Sequence, residues 1–350
     1  MGADLYSIFF AAVRGMSQTQ LLTLLGAVLA RMQIIKAAGS KEIGAMTAKL
    51  LLPCFVFAEF TKPAAKEKLK VAFTSAEGPL LLGLSVAQML LCLVLGGVVV
   101  RLFSSCKGMQ RSGNLINLSV AFGNATALPI ILLKTVEHFF PAEDRDFVTL
   151  CVLVYGTINR ALMWTVGCAI CSGKAKFSLL INEINVASAV GLFVAFSGDL
   201  IGFDLLELYH SKSNPLDFAG TIDKVGMLAN PLLLIVAGSS LSKGPKSEDL
   251  DAVSIAASSV ARLILCVPIS FCLLYFSGVL AMTSGSARVL GFVLMVESCM
   301  PAAAQLALVA AEGGDASALQ NMSSLLFYHS LAAPVTCTIV LGVALQTFTA

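Results

Sequence analysis

The sequence predicts an all-helical protein that crosses a membrane many times. Of its 350 residues, 57% are apolar and only 13% are charged, and the mean hydropathy is +0.87. A soluble domain carries about 25% charged residues, so this chain lacks half of the usual solvating charge. Helical runs of about 20 apolar residues cross the hydrocarbon core of a bilayer, and the chain contains ten such runs. These observations exclude a soluble globular fold.

The ten apolar runs lie in close succession and leave only short connections. The second and sixth are short enough that a re-entrant segment is an alternative for them. The predicted spans are residues 7–30, 44–60, 78–102, 114–136, 147–171, 184–202, 220–241, 252–281, 287–311 and 318–347.

An internal repeat runs through the chain. The block Ser85–Cys92 in the third span matches Ser259–Cys266 in the eighth, 174 positions later. Pro129 and Pro301 follow at a spacing of 172, and a tyrosine in the fifth span has its counterpart in the tenth at a spacing of 173. Three matches in the same order at nearly one spacing indicate a duplication.

The duplication divides the chain into two repeats of five spans. We expect residues 1–173 to form the first repeat, 174–183 a short connection, and 184–350 the second repeat. Because each repeat crosses the membrane an odd number of times, the two insert in opposite orientations. The predicted fold is an all-α polytopic membrane protein with ten transmembrane helices in two inverted five-helix repeats, an arrangement typical of secondary transporters.

Spans four and nine carry helix-breaking residues at corresponding depths. Gly123 and Asn124 precede Pro129 in span four, and Glu297 precedes Pro301 in span nine. Proline removes a backbone hydrogen bond, and lipid cannot satisfy the groups that are freed. We expect two crossed, proline-broken helices whose second halves begin near their prolines and offer unpaired N–H groups to a small organic anion. Two proline kinks relieved by neighbouring helices are the alternative.

Several ionisable side chains fall inside the predicted spans. Glu297 is costly near mid-membrane unless it is paired, hydrated or protonated, so it is a candidate to carry a coupling proton or bind a coupling cation. A structural ion pair with Arg262 or Arg160 is the alternative. Arg262 stands where the first repeat has Gln88, and it is a candidate to attract the substrate anion. His329 is predicted to be a hydrogen-bonded core residue.

Other classes of function find little support in the sequence. A net charge of +2 and a single tryptophan provide no basic, aromatic face for nucleic acid. The chain has no Walker A loop, HExxH motif or GxSxG motif, so neither an ATP-driven pump nor a membrane enzyme is predicted. Cys168 and Cys171 form a lone CxxC without a second pair, which does not indicate a metal site. We therefore expect no catalytic residue, no metal and no cofactor.

Four segments of the chain carry motifs that point to a family. Residues 51–57 read LLPCFVF, residues 123–129 read GNATALP, residues 235–244 read IVAGSSLSKG, and residues 297–305 read ESCMPAAAQ. In this order they resemble the motifs LPALVF, GNxGNLP, LILGGNLTKG and QYALPPAMN of the PIN-LIKES auxin carriers, within the auxin efflux carrier family of membrane transport proteins. The resemblance covers nearly the whole chain.

The resemblance implies ten spans in two inverted repeats and transport of auxin-like anions. Carried over to matching positions, it implies substrate-binding polar groups at Asn124 and Gln305, with Pro129 and Pro301 at the helix crossing. Thr126, which stands at the second glycine position of the same motif, is a further predicted substrate contact.

The chain also departs from the family motifs at several positions. Ser240 stands at a motif asparagine and is a predicted substrate contact in its place. Thr126 and Ala127 replace a glycine and an asparagine, while Glu297 replaces a glutamine and Gln305 an asparagine. These changes bear on the identity of the substrate more than on the mode of transport.

Together, the residues and the resemblance predict a secondary carrier that works by alternating access. The expected substrate is a small organic anion, auxin-like in character, such as indole-3-acetate or a related carboxylate. A proton- or sodium-coupled carrier of another carboxylate and a channel-like permease are the alternatives. The connection between spans five and six is short, unlike the long hydrophilic loop of plasma-membrane auxin exporters, so the resemblance implies the endoplasmic reticulum membrane in preference to the plasma membrane. The lipid bilayer is the other expected partner, nucleic acid is not one, and a homodimer is left open.

Overall fold

The chain is almost entirely helical. The computed structural model describes residues 5–63, 66, 77–125, 127–172, 181, 183–210, 217–241, 249–282, 284–312 and 316–348. Within these ranges the only β-structure is one isolated bridge. The predicted all-helical class is therefore confirmed.

The helices vary widely in length, and several are joined end to end. In chain order they are α1 (Leu5–Arg31), α2 (Ala37–Met46), α3 (Leu52–Phe60), α4 (Glu77–Leu102), α5 (Lys107–Ala121), α6 (Ala127–Val136), α7 (Ala142–Leu162), α8 (Cys168–Ser172), α9 (Glu183–Ile201), α10 (Leu205–Tyr209), α11 (Phe218–Met227), α12 (Ala229–Leu241), α13 (Ala252–Val260), α14 (Cys266–Phe276), α15 (Gly285–Ser298), α16 (Leu306–Glu312) and α17 (Ala316–Phe348).

Three of the long spans contain a π-helical turn. The turns Thr47–Leu51, Met163–Gly167 and Ala261–Leu265 join α2 to α3, α7 to α8, and α13 to α14. Each pair of helices forms one continuous helical segment, because the residues flanking the π turn keep helical backbone angles. A π turn widens the helix locally and is often found at functional sites.

Seven helices in the described ranges are long and apolar enough to cross a membrane. They agree with seven of the ten predicted spans to within a few residues at most boundaries. Their bounds are Ala38–Phe60, Gly78–Leu102, Phe147–Cys171, Glu183–Ile201, Phe218–Val236, Ala252–Phe276 and Ser317–Phe348.

The other three predicted spans correspond to helices that are shorter or less continuously apolar than these seven. In α1 the apolar part, Gln20–Arg31, is shorter than the seven. The fourth and ninth predicted spans are interrupted, so each is split into two shorter helices, α5 and α6 in one case and α15 and α16 in the other.

Long helices present apolar side chains to the outside. On α17, Leu331, Val335, Ile339 and Val343 follow one another at a spacing of four, and each is more than half exposed. At 1.5 Å per residue this stripe extends over about 18 Å, a length suited to hydrocarbon and not to water. The outer faces of the helices therefore fit a lipid environment.

The chain forms two compact units, each drawn from both halves of the sequence. One unit comprises Met1–Leu21, Pro79–Phe177 and Lys243–Ala350, and the other comprises Leu22–Gly78 and Ser178–Ser242. The predicted repeats are a division along the sequence, and the compact units are a division in space. Most of the predicted connection, residues 174–183, lies outside the described residues.

In the second unit, α1 and α12 approach each other at two glycines. A methyl group on Gly26 would overlap the backbone of Ile235, and one on Gly238 would overlap the backbone of Thr23. Small residues that bring two backbones into contact are the usual basis of helix packing in membranes.

In the first unit, one carboxylate caps the N-termini of two helices. Asp251 accepts hydrogen bonds from the N–H of Ser254 at the start of α13 (2.7 Å) and from the N–H of Gly108 at the start of α5 (2.9 Å). Cys106, the residue at the N-cap position of α5, provides no side-chain cap. Asp251 thus fastens the start of span four to the start of span eight.

Removing the Asp251 carboxylate should destabilise the protein, because the N-terminal caps of both α5 and α13 are lost. We expect Asp251→Ala to lower the free energy of unfolding by about 2 kcal/mol, because each cap is worth about 1 kcal/mol. The bond from Gly108, followed by that from Ser254, holds the pKa of Asp251 below its usual range. Its contribution is therefore complete above about pH 4 and is lost as the pH falls through the lowered value.

Thermal unfolding of the detergent-solubilised protein measures both effects. Asp217→Ala is the matched control, because Asp217 caps only α11, through the N–H of Gly220 (2.9 Å). A loss in Asp251→Ala no larger than in Asp217→Ala would contradict the double cap.

Candidate functional site

The fourth and ninth spans are both broken, as predicted. α5 ends at Ala121 and α6 begins at Ala127, while α15 ends at Ser298 and α16 begins at Leu306. Phe122 already has extended backbone angles (φ −109°, ψ 103°). Each span therefore consists of two half-helices separated by a few residues of extended chain or turn.

The two breaks meet and cross in the first unit. Gly123 and Ala302 form an antiparallel β-bridge, the isolated bridge noted above. Two hydrogen bonds flank it: from the N–H of Asn124 to the carbonyl of Pro301 (2.7 Å), and from the N–H of Ala303 to the carbonyl of Phe122 (3.0 Å). Each break thus satisfies part of the backbone that the other has freed.

A buried guanidinium satisfies the carbonyl ends of both broken helices. Arg262 lies on the π turn between α13 and α14, and only 2% of it is exposed. Its Nη1 donates to the carbonyl of Val120 at the end of α5 (2.9 Å). Its Nη2 donates to the carbonyl of Glu297 in the last turn of α15 (3.0 Å), and its Nε donates to that of Met300, two residues beyond the end of α15 (2.7 Å).

This arrangement gives Arg262 a structural task in addition to the expected one. From the sequence, Arg262 is a candidate to attract the substrate anion, and in the structure each of its three nitrogens donates to a backbone carbonyl. A cation at the C-terminal end of a helix is favoured by the helix dipole, and here one cation serves two helix ends. The signal for a special role was present in the sequence, because Arg262 replaces Gln88 of the first repeat.

Two neighbours adapt to the crossing. A methyl group on Gly123 would overlap Nη2 of Arg262, so the guanidinium lies directly against the glycine backbone. The carbonyl of Gly123 accepts a hydrogen bond of 2.8 Å from Nδ2 of Asn159, a buried residue of α7. Neither residue was assigned this role from the sequence, although Gly123 was expected to permit the break.

The two predicted substrate-binding amides lie in the two breaks. Asn124 and Gln305 are both half-buried, and neither side chain makes a hydrogen bond within the described part of the chain. Near Gln305 the first amides of α16 are already used, since Leu306 donates to Ala303 (2.9 Å) and Ala307 to Ala304 (3.2 Å). The side-chain amides of Asn124 and Gln305 therefore remain as hydrogen-bond donors for a ligand.

The two prolines occupy different places in their breaks. Pro129 is the third residue of α6, where a missing N–H costs nothing. Pro301 lies in the extended segment, and α16 begins five residues later. The expectation that each second half begins near its proline is therefore wrong for span nine. Pro301 contributes only its carbonyl to the bridge, so proline is tolerated there.

Two further predicted substrate contacts lie wholly or partly outside the described residues. Thr126 lies outside the described residues. Ser240 lies on α12 in the second unit, and its side chain is likewise outside them.

Glu297 is a buried carboxyl group at the end of α15. It is fully buried, and within the described chain neither of its carboxyl oxygens has a hydrogen-bond partner. Arg262 binds the backbone carbonyl of Glu297 and makes no ion pair with its side chain among the described residues. The alternative, a structural ion pair between Glu297 and a nearby arginine, is therefore not found among the described residues.

A buried chain of polar side chains lies near the crossing. Nε2 of His329 is 3.0 Å from Oγ of Ser258, which is 2.9 Å from Oγ of Ser119. Ser119 in turn donates to the carbonyl of Ile116 in α5 (2.8 Å). His329 is thus a hydrogen-bonded core residue, as predicted, and it joins the tenth span to the fourth and eighth.

Long helices with apolar outer faces, together with two crossed and broken spans, define an integral, multi-pass membrane protein of the transporter class. A sequence model of the family described as membrane transport protein matches residues 12–191, just over half of the chain. The chain belongs to this family, the auxin efflux carrier family that its motifs resemble, whose members are transporters and not enzymes. A comparison with curated proteins finds no match.

A methyl group at Gly123 should disturb the crossing. We expect Gly123→Ala to lower the free energy of unfolding by about 1–3 kcal/mol, the usual cost of overpacking, because the methyl displaces the guanidinium of Arg262 from its carbonyls. Gly97→Ala in α4 is the matched control, since its methyl would come no closer than 3.9 Å to its nearest neighbour, Nδ2 of Asn117. The measurement is the thermal unfolding midpoint of the two variants. Equal midpoints would show that the position of the Arg262 guanidinium does not depend on a glycine at residue 123.

Proposed function

We propose that this membrane transporter is a secondary carrier of a small organic anion, with an auxin-like carboxylate such as indole-3-acetate as its first candidate substrate. The observation that carries the proposal is the crossing itself. It presents two half-buried side-chain amides, Asn124 and Gln305, that are not used by the protein's own hydrogen bonds.

The chemistry of the crossing suits an anion. Each amide side chain offers two N–H donors, and a carboxylate accepts hydrogen bonds only. α6 begins directly after the break that holds Asn124, and the N-terminus of a helix favours negative charge. Arg262 adds a positive charge nearby, although carbonyls hold its nitrogens. Thr126 and Ser240 remain proposed contacts on the strength of the family motifs.

An inverted repeat is supported by hydrogen bonds that recur with the halves exchanged. Nε2 of Gln88 donates to the carbonyl of Leu294 (3.0 Å), and Nη1 of Arg262 donates to that of Val120 (2.9 Å). Arg262 lies 174 positions after Gln88, and Leu294 lies 174 positions after Val120. The second bond is thus the first with each partner replaced by its counterpart in the other repeat.

A pair of cysteines supports the same axis. Cys92 and Cys266 close the two matched sequence blocks, and their buried thiols lie close enough to act on each other electrostatically. Two equivalent residues can be neighbours only where they lie close to the axis that relates them. We therefore propose that the pseudo-two-fold axis of residues 1–173 and 184–350 passes beside these thiols.

Ten crossings are supported by the contacts between connecting segments. With ten spans, connections of odd number share one side of the membrane and those of even number share the other. The ion pair between Arg111 and Asp249 joins the third connection to the seventh, and the ion pair between Lys66 and Asp204 joins the second to the sixth (both 2.5 Å). Both agree with this rule.

The remaining parts of the proposal extend beyond the site. Alternating access suits a crossing whose freed backbone groups are satisfied within the protein, since such a unit can move without exposing them to lipid. The short connection between spans five and six favours the endoplasmic reticulum membrane. The number of subunits, with a homodimer as one candidate, stays open.

Removing either free amide should weaken substrate binding. We expect Asn124→Ala and Gln305→Ala each to raise the dissociation constant for indole-3-acetate about tenfold or more, since a hydrogen bond to a charged group is worth about 1.5–3 kcal/mol. Binding is measured with purified protein in lipid against a panel of aliphatic and aromatic carboxylates. Gln346→Ala is the matched control, because Gln346 is an exposed glutamine on α17.

The panel also tests the substrate class and the mode of transport. Unchanged affinity in both variants would remove these residues from the site. Binding of no carboxylate by the unaltered protein would refute the proposed function. Flux that saturates and shows counterflow supports a carrier, whereas flux that does not saturate would indicate a channel.

Glu297 is the candidate for proton coupling. Its carboxyl group is buried without a hydrogen-bond partner among the described residues. The charged or titratable groups of the described chain that interact with it are Arg262, Tyr155 and Cys299. We expect Glu297→Gln to abolish the response of flux to a pH gradient while flux driven by the substrate gradient persists. Glu59→Gln, a buried carboxylate already paired with Lys62 (2.5 Å), is the control. A flux in Glu297→Gln that still responds to the pH gradient would exclude this role.

A further inference from the structure

Backbone carbonyls from two broken helices converge on one positive charge. Those of Val120, Glu297 and Met300 lie 2.7–3.0 Å from nitrogens of Arg262. That of Ala121 lies farther away, at 3.5 Å from Nη1. In secondary carriers with broken helices, unwound carbonyls and half-helix C-termini of this kind coordinate the coupling cation. Here a side chain of the protein itself holds that position.

A guanidinium suits this position for two reasons. It remains charged in proteins, so it offsets the negative dipole ends of both α5 and α15 at once. Its donors form a fixed planar fork, which lets one group reach carbonyls of two different broken spans. A single metal ion would meet the same need by coordinating the oxygens directly.

The surroundings of the guanidinium are built for it. Gly123 leaves the space that Nη2 fills, and the π turn Ala261–Leu265 carries Arg262 in the middle of an otherwise regular span. The equivalent residue of the first repeat, Gln88, is neutral and donates to the single carbonyl of Leu294 on α15. The charge is therefore supplied from one repeat only and serves both broken helices.

We propose that the guanidinium of Arg262 is a built-in cation that replaces a coupling metal ion at the helix crossing, so that anion transport by this chain requires no metal cation there. The inference rests on the proposed function for its transport readout, and it deepens that function by removing sodium from the coupling scheme. It makes Arg262 a positioning residue that holds the crossing in the form that binds the anion.

The first test separates charge from shape. In proteoliposomes, Arg262→Lys keeps the charge without the fork, whereas Arg262→Gln keeps two donors without the charge. We expect flux to fall in both, and to fall about tenfold or more further in the glutamine variant, because carbonyl ends buried without a cation are the costlier defect. Flux in Arg262→Gln equal to or above that in Arg262→Lys would overturn the proposal.

The second test restores the missing group from solution. Arg262→Ala is assayed with millimolar guanidinium and, separately, with the same concentration of urea, a neutral molecule of similar shape. We expect guanidinium to recover both flux and the affinity for indole-3-acetate, and urea to recover neither. Equal recovery by the two solutes, or none by either, would overturn the proposal. Arg145→Ala is the control, because the guanidinium of Arg145 donates to the carbonyls of Phe140 (3.2 Å) and His138 (3.5 Å), which lie outside the crossing.

The third test addresses the metal directly. Flux through the unaltered protein should not change when sodium is replaced by N-methylglucamine on both sides of the membrane. A several-fold loss of flux in the absence of sodium would overturn the proposal.

One readout does not depend on transport. Without any substrate, guanidinium should raise the thermal unfolding midpoint of Arg262→Ala above that measured in urea, while the unaltered protein responds equally to both. If the unaltered protein binds no carboxylate, the proposed function fails, and this comparison still decides whether Arg262 acts as the cation of the crossing.

Discussion

The structure depends on one constraint, which is that a broken helix inside a membrane must satisfy its freed backbone groups within the protein. Spans four and nine meet it together. A bridge at Gly123 and Ala302 pairs part of the two extended segments, and Arg262 binds the carbonyl ends of α5 and α15. Without both devices, neither interruption would be tolerated at this depth.

Several other features follow from this constraint. The π turn that carries Arg262, the glycine against which its guanidinium lies, and the amide of Asn159 on the carbonyl of Gly123 all complete the same arrangement. The backbone carbonyls at the helix ends are hydrogen-bonded, whereas the side-chain amides of Asn124 and Gln305 have no hydrogen-bond partner among the described residues. These two amides make the crossing a candidate site. A membrane transporter with broken helices needs its freed backbone groups satisfied inside the protein, because unpaired backbone groups are costly in lipid.

The sequence predicted the spans and the helix breaks better than it predicted the role of each residue in them. Apolar run lengths located the spans closely, because crossing hydrocarbon imposes a minimum length whatever the packing. Gly123 and Pro129 indicated the break in span four through their backbone preferences. Pro301 was misleading in one respect, since proline is acceptable both at a helix start and in an extended segment that uses only its carbonyl.

A multi-span, all-helical membrane protein with two interrupted helices and a family likeness can be predicted from the sequence, because hydropathy and backbone preferences are local properties that can be read along the chain. Which groups meet at the interruptions becomes visible only in the folded protein. The convergence of Arg262 on carbonyls of both broken helices joins residues far apart in the chain, and no local pattern specifies the partners of a buried charge.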